Sequence, residues 1–78
     1  SAIPPLNDAT LNDPSMFVRH EAAIALGVVG SKEAKQALQK ALDDPEKPVV
    51  ESAVVALSNI EFMEKLSKNE QFAKLTGG

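Results

Sequence analysis

The stretch DPSMFVRHEAAIALGVVG, Asp13–Gly30, decides the fold of this 78-residue chain. At about 100° per residue, its apolar side chains fall on one stripe of an α-helix, which further apolar residues widen on one side. The stripe consists of Val18, Ala22, Ala25, Leu26 and Val29, and the widening residues are Phe17, Ile24 and Val28. This spacing predicts a helix from Pro14 to Val29 that packs on more than one side.

Two polar residues interrupt the apolar surface of this helix. Glu21 falls inside the widened apolar arc, and His20, the only histidine of the chain, falls at its edge on the side of Gly27. An ionised carboxylate among apolar side chains is costly unless it is paired, so Glu21 needs a partner. His20 is one candidate partner, and Arg19 is another because it is adjacent in sequence.

The pattern of this helix recurs 31 residues later, where LDDPEKPVVESAVVALS (Leu42–Ser58) aligns with LNDPSMFVRHEAAIALG (Leu11–Gly27). The identical pairs are Leu11/Leu42, Asp13/Asp44, Pro14/Pro45, Val18/Val49, Ala22/Ala53, Ala25/Ala56 and Leu26/Leu57. A period near thirty residues with two helices per unit is typical of an α-solenoid. The sequence therefore predicts an all-α fold of helical repeats packed as antiparallel pairs.

Turn and capping residues set the bounds of the other helices. The residues before Asp13 match Ala34–Leu42 at the same offset, so they predict the last helix of a preceding, incomplete repeat. Asp13 or Ser15 is the expected N-cap of the central helix, and Gly30 its left-handed end. Further helices are predicted at Lys32–Asp43, capped by Ser31, at Pro48–Phe62, and, after a capping box, at Asn69–Lys74.

The apolar pattern also predicts the domain division and the core. Residues 1–62 are expected to form the repeat domain, and residues 63–78 a polar tail or linker with the short helix. The predicted core consists of Val18, Ala22, Leu26, Leu38, Leu42, Val49, Ala53 and Leu57.

Composition excludes several classes of function. The chain has no cysteine, hence no disulfide and no thiolate zinc site. Its net charge is −3, its eight basic residues are scattered, and it lacks tyrosine and tryptophan, which argues against binding nucleic acid. No apolar run is long enough to span a membrane. No nucleophile–base pair or phosphate loop is present, and the sequence predicts a soluble, cytoplasmic protein.

The adjacent histidine and glutamate predict a metal site. Imidazole and carboxylate together are ligands of non-haem iron and related divalent metals. Because neighbouring residues of a helix point about 100° apart, His20 and Glu21 are expected to be two of several ligands, the others coming from facing helices. Three simpler interpretations stay open: a half-exposed histidine, a glutamate paired with a nearby cation, and Gly27 as a small residue for close helix packing.

The segment VRHEAAIALG, Val18–Gly27, resembles the V-R-H-E-A-A-x-A-L-G signature of deoxyhypusine hydroxylase. That family of di-iron enzymes is built from HEAT-like repeats, which are also seen in phycobilin lyases. The resemblance covers about Leu6 to Phe62. Its downstream part matches a D-P, E-[ST] and I-E-aromatic pattern at Asp44–Pro45, Glu51–Ser52 and Ile60–Phe62.

The resemblance implies a fragment of a non-haem di-iron monooxygenase, which uses O₂ to hydroxylate deoxyhypusine on a translation factor. The family holds its two irons between two halves with two His-Glu motifs each, and the ligand-bearing second motif of a half maps onto His20 and Glu21. This chain departs from that pattern because Glu51–Ser52 stands where its next repeat would carry a further pair. We therefore expect the chain alone to be inactive and metal-free.

The alternative is a HEAT-like scaffold, or a module similar to phycobilin lyases, that binds a partner protein without catalysis. Most of the matched letters belong to the frame that such repeats share, whereas the His-Glu pair separates the enzyme from the scaffold. In either case an incomplete solenoid exposes apolar ends, which predicts self-association.

Overall fold

A computed structural model describes the backbone of residues 3–75 and the side chains of residues 6–69. Over these residues the chain forms four α-helices and no strand: α1 (Ile3–Asn12), α2 (Met16–Val29), α3 (Lys32–Ala41) and α4 (Lys47–Leu75). The all-α prediction is confirmed. Within the described part of the chain, no helix is long and apolar enough to cross a membrane.

The ends of α2 form where the capping residues predict them. Of the two N-cap candidates, Ser15 takes the role, and its hydroxyl accepts a hydrogen bond from the Val18 N–H. Asp13 instead accepts from the Ser15 N–H at 2.8 Å and so shapes the turn before the helix. Gly30 ends α2 with φ at 67°, a left-handed conformation that favours glycine. Ser31 then caps α3, as predicted.

The last helix is longer than the sequence predicts. It begins at Lys47 and continues without interruption to Leu75, so the prediction of a separate short helix at Asn69–Lys74 is wrong. Residues 63–75 contain no glycine or proline and are rich in strong helix formers, which explains why the helix does not stop at Ser67. At its other end, α3 closes at Ala41 rather than Asp43, since the Leu42 N–H turns back to the Gln39 carbonyl. The domain boundary after residue 62 stays a prediction.

The helices pack as two repeats, with α2 stacked on α4 and α1 beside α3. Small side chains dominate the core, which lets the helices approach closely. The core cluster consists of Ala23, Leu26, Ala34, Ala37, Leu38, Ala41, Ala53, Ala56 and Ile60, with Leu6, Leu11 and Leu57 packed against it.

The core prediction is right for most residues and wrong for two. Five are buried: Ala22, Leu26, Leu38, Val49 and Ala53. Leu57 is partly buried. Val18 and Leu42, in contrast, are 42% and 38% exposed. Both lie on the open ends of the two-repeat stack.

The repeat register explains the exposure of Val18. Its equivalent on α4, Val49, is fully buried and lies on the helix face that carries Ser52 and Ala56, both directed at α2. On α2 the corresponding face points away from α4, and within residues 3–75 no further helix equivalent to α2 and α4 covers it. Helical periodicity therefore identified an apolar face correctly, but the burial of that face depends on a neighbouring repeat.

Truncation of Leu26 tests the core assignment. Leu26 is fully buried in the cluster that joins α2, α3 and α4. We expect Leu26→Ala to lower the free energy of unfolding by about 3 kcal/mol, the cost of lost burial plus a cavity. Urea unfolding followed by circular dichroism measures this, with Leu66→Ala on the exposed part of α4 as the control. A loss for Leu26→Ala no larger than that of the control would contradict the assignment.

A half-buried ion pair joins the start of α2 to the turn that precedes α4. Arg19 Nε donates to Asp44 Oδ2 at 2.8 Å, with the two side chains 13% and 7% exposed. Arg19 Nη1 also donates to the Asp13 carbonyl at 2.8 Å. Burial by itself would raise the pKa of Asp44, but hydrogen bonds from Arg19 and from the Glu46 N–H, together with the guanidinium charge, outweigh it and lower the pKa below its ordinary value.

This lowered pKa predicts how stability depends on pH. A carboxyl group whose pKa is lower in the folded than in the unfolded state stabilises the fold above its unfolded pKa, which is about 3.9 for aspartate. That contribution is lost as the pH falls through the folded value. We therefore expect the stability difference between wild type and Asp44→Asn to be full near pH 7 and to shrink below about pH 4. A difference that stays constant from pH 7 to pH 3 in urea unfolding would contradict the assignment.

Candidate functional site

The site is built where α2 and α4 approach each other most closely. Gly27 is buried, and a Cβ atom at this position would lie 2.8 Å from Ala56 Cβ and 3.1 Å from Ala56 Cα. Such distances are shorter than a packed interior allows, so α4 could not keep its place with any larger residue here. The close-packing interpretation of Gly27 is the one that the geometry supports.

His20 lies two helical turns before Gly27, on the same side of α2, and is directed at the first turns of α4. Its Nδ1 atom is 2.5 Å from Ser52 Oγ and 3.4 Å from the Pro48 carbonyl oxygen. Ser52 Oγ in turn donates to the same Pro48 carbonyl at 2.9 Å. His20 is therefore half-buried and held on one side of its ring, rather than a loose surface residue.

Glu21 borders apolar side chains, as its position on α2 predicts, but it is mostly exposed, which corrects the expectation that its carboxylate needs a paired partner. Its side chain is 75% exposed, because it lies beside Phe17 and Val18 on the side of α2 that points away from α4. Arg19 does not pair with it, since its guanidinium binds Asp44. The nearest cationic or titratable partner is His20, whose Nε2 lies 3.8 Å from Glu21 Oε1. Solvent, rather than a buried ion pair, stabilises this carboxylate.

A cleft of about 460 Å³ runs between α2 and α4 and includes His20. Its walls are apolar, formed mainly by Ile24, Val28 and Val55. Polar groups line it at His20, Glu51, Ser52 and Asn59, and among the residues whose side chains are described no lysine or arginine does. The cleft therefore combines an apolar body with a few polar groups, as small-ligand sites do.

The donor atoms present suit a divalent metal only in part. An imidazole nitrogen and a carboxylate oxygen are ligand types that Fe²⁺ accepts, and two metal–ligand bonds of about 2.1 Å can bridge donors up to about 4.2 Å apart. The 3.8 Å between His20 Nε2 and Glu21 Oε1 falls within that span. Within the described residues, no group of three or more histidine, cysteine, aspartate or glutamate side chains comes together. The chain thus offers part of a ligand set.

Sequence reasoning missed two features of this region. Ser52 was noted only as part of the E-[ST] pattern. The signal for its position was the 31-residue offset, which aligns Ser52 with Glu21 and so places it on the face of α4 between the repeats. The Arg19–Asp44 pair was also missed. Its signal was the aspartate that recurs before α2 and before α4, at Asp13 and Asp44, together with Arg19, which has no acidic residue on its own face of α2.

The chain matches the sequence profile described as HEAT repeats over residues 1–61. It belongs to the HEAT repeat family. The stacked α2 and α4 are thus equivalent helices of adjacent HEAT repeats, and His20 and Ser52 face each other across a repeat–repeat interface. No solved structure matches this chain significantly.

Curated proteins named deoxyhypusine hydroxylase are similar to most of this HEAT repeat chain. The one from Phaeosphaeria nodorum is 45% identical over 64 residues, and the one from Neurospora crassa 48% identical over 64 residues. Each match includes 80% of this chain and 20% of the relative. The protein from Chaetomium globosum is 43% identical over 72 residues, 90% of this chain and 21% of the relative. The chain therefore spans about a fifth of the length of these relatives.

Proposed function

We propose that this chain is a ligand-bearing part of a non-haem di-iron monooxygenase that hydroxylates deoxyhypusine on a translation factor. The observation that carries the proposal is the identity of 45–48% to proteins named deoxyhypusine hydroxylase over 64 residues. A match of this length in a 78-residue chain necessarily includes His20 and Glu21. The aligned region thus includes the two proposed ligand positions as well as the repeat frame.

In this proposal, His20 and Glu21 hold iron as members of a larger ligand set. Iron, when bound, would supply the activation of O₂, and the part of this chain is to place the donor atoms. His20 Nε2 is on the side of the ring that Ser52 and Pro48 leave free, and Glu21 Oε1 lies 3.8 Å from it. Other repeats must supply the remaining donors, because the described residues contain no third one nearby.

The open face of α2 supports such a division of the site between repeats. Glu21 stands at the register of Ser52, which is 8% exposed because it faces the histidine of the neighbouring helix. A further repeat stacked on α2 in the same way would bring its own residue at the register of His20 next to Glu21. His20 and Glu21 therefore lie at the junction of two repeats, where ligands from facing helices can meet.

The second candidate is a HEAT repeat scaffold that binds a partner protein and has no catalytic role. The cleft between α2 and α4 supports it, since apolar walls with a few polar groups also suit a peptide side chain. Both candidates use the same fold, so the distinction depends on the His-Glu pair.

The experiment that separates the two uses the full-length protein that contains this chain. We expect it to bind iron, to consume O₂ and to convert deoxyhypusine to its hydroxylated form on the translation factor, as mass spectrometry of the modified peptide would show. We expect the 78-residue chain alone to do none of these. A full-length protein with no further His-Glu pairs at repeat spacing and no hydroxylase activity would leave the scaffold as the function.

We further propose that the isolated chain self-associates through its open end. Phe17 is 72% exposed and lies beside Val18, Leu6 and Ala9 on the apolar groove between α1 and α2. A second copy can cover this face where the full-length protein would place another repeat. Sedimentation velocity should show a concentration-dependent dimer for wild type and a monomer for Phe17→Ser. A monomeric wild type at all concentrations would contradict this proposal.

A further inference from the structure

We propose that Ser52 is a positioning residue for His20. Its hydroxyl sets the imidazole in the tautomer that carries hydrogen on Nδ1, and so leaves the lone pair of Nε2 free on the side of Glu21. The two side chains belong to adjacent repeats, at positions 32 residues apart. A contact between two repeats thereby leaves His20 Nε2 unprotonated, the state in which an imidazole nitrogen can bind a metal.

The proton count at Ser52 carries the inference. A serine hydroxyl has one hydrogen to donate and lone pairs to accept. Ser52 Oγ donates to the Pro48 carbonyl at 2.9 Å, so what it presents to His20 is a lone pair. Nδ1 lies 2.5 Å from this oxygen and 3.4 Å from the Pro48 carbonyl oxygen. Both oxygens therefore present lone pairs to Nδ1, and the short contact with Ser52 is a hydrogen bond only if that nitrogen carries the hydrogen.

The opposite tautomer leaves the cluster worse paired. With the hydrogen on Nε2, the bare Nδ1 would need the single hydrogen of Ser52, and the Ser52–Pro48 bond would be lost. The lone pair of Nδ1 would also face the lone pairs of the Pro48 carbonyl. Because Ser52 is buried, water has little access to repair either loss.

The geometry on the other side of the ring agrees with this assignment. Nε2 and Glu21 Oε1 are 3.8 Å apart, which is too long for a hydrogen bond that would hold the hydrogen on Nε2. Histidine ligands bind metals through an unprotonated nitrogen while the other nitrogen donates to the protein, and that second bond fixes the orientation of the ring. This consequence for iron rests on the proposed function, whereas the tautomer assignment does not.

The tautomer can be measured directly because the chain has one histidine. Long-range ¹H–¹⁵N correlation spectra of the ¹⁵N-labelled chain, recorded at about pH 8.5 where an ordinary imidazole is neutral, distinguish the ring nitrogen that carries hydrogen. We expect mostly Nδ1–H in wild type. In Ser52→Ala we expect the population to shift to mostly Nε2–H, the form that imidazole favours in water, and Ser52→Thr should keep the wild-type spectrum.

The control is Ser58→Ala, which removes an exposed hydroxyl from the same helix and should leave the tautomer unchanged. Far-ultraviolet circular dichroism verifies that each variant folds. A wild-type chain that is mostly Nε2–H overturns the proposal whether or not Ser52→Ala folds. An unchanged tautomer in a folded Ser52→Ala chain also overturns it.

A second measurement separates this proposal from the proposed function. In the full-length protein, Ser52→Ala should weaken iron affinity by about 10- to 100-fold, the usual effect of removing a group that orients a ligand, and Ser52→Thr should restore it. If the tautomer shifts in the isolated chain while iron affinity is unchanged, His20 is not a ligand, and the positioning role of Ser52 still stands. If the tautomer does not shift, the positioning role is wrong, whatever the iron affinity.

Discussion

Replacing Arg19 with methionine is expected to lower the free energy of unfolding by about 1–3 kcal/mol, the cost of leaving a half-buried, hydrogen-bonded carboxylate without its partner. Arg19→Met would leave the Asp44 carboxylate, 7% exposed, without its cation, and the Asp13 carbonyl without its donor. A domain of 78 residues has a total stability of only about 4–12 kcal/mol. The substitution therefore removes a large share of it, and urea unfolding at pH 7 should show a much lower midpoint.

Two further variants make this measurement decisive. Lys47→Met breaks the exposed Lys47–Glu51 pair, whose atoms are 4.0 Å apart, and should change stability by less than about 0.5 kcal/mol. The double variant Arg19→Met/Asp44→Asn should recover part of the loss, because it removes the unpaired charge while the amide can still accept from the Glu46 N–H. A loss of stability for Arg19→Met as small as that for Lys47→Met would mean that the Arg19–Asp44 pair stabilises the fold no more than an exposed ion pair does.

The helices could be predicted because their signals are local. Apolar spacing, the Ser15 and Ser31 caps and the left-handed Gly30 all act within one or two turns, and each is found where the sequence predicts it. The 31-residue offset extended these local predictions from α2 to α4. The end of α4 was missed because the capping-box letters at Ser67–Glu70 also suit the middle of a helix when no glycine or proline interrupts the chain.

The environment of the site could not be predicted in the same way. A helical projection gives the direction of a side chain, but it does not say whether another helix lies in that direction. Glu21 and Ser52 share one register, yet one side chain is 75% exposed and the other residue 8%. The contacts of His20 with Ser52 and of Arg19 with Asp44 join residues 32 and 25 positions apart, and they depend on how closely the repeats stack.

Removing either proposed ligand is expected to abolish iron loading of the full-length protein. His20→Ala deletes the imidazole nitrogen, and Glu21→Ala the carboxylate oxygen that lies 3.8 Å from it. Neither substitution should disturb the fold, because Glu21 is exposed and the core cluster contains neither residue. We therefore expect metal analysis to show iron near zero in both variants and circular dichroism to show unchanged helix content.

The isolated chain and a matched control complete the test. Two donors leave most coordination positions of Fe²⁺ to water, and they fix too little of its geometry for tight or selective binding. The 78-residue chain should therefore bind Fe²⁺ weakly or not at all. Glu33→Ala, which removes an exposed carboxylate from α3, should leave the iron content of the full-length protein unchanged. If His20→Ala and Glu21→Ala proteins fold and carry as much iron as wild type, these residues are not ligands, and the His-Glu pair gives no support to the enzyme over the scaffold.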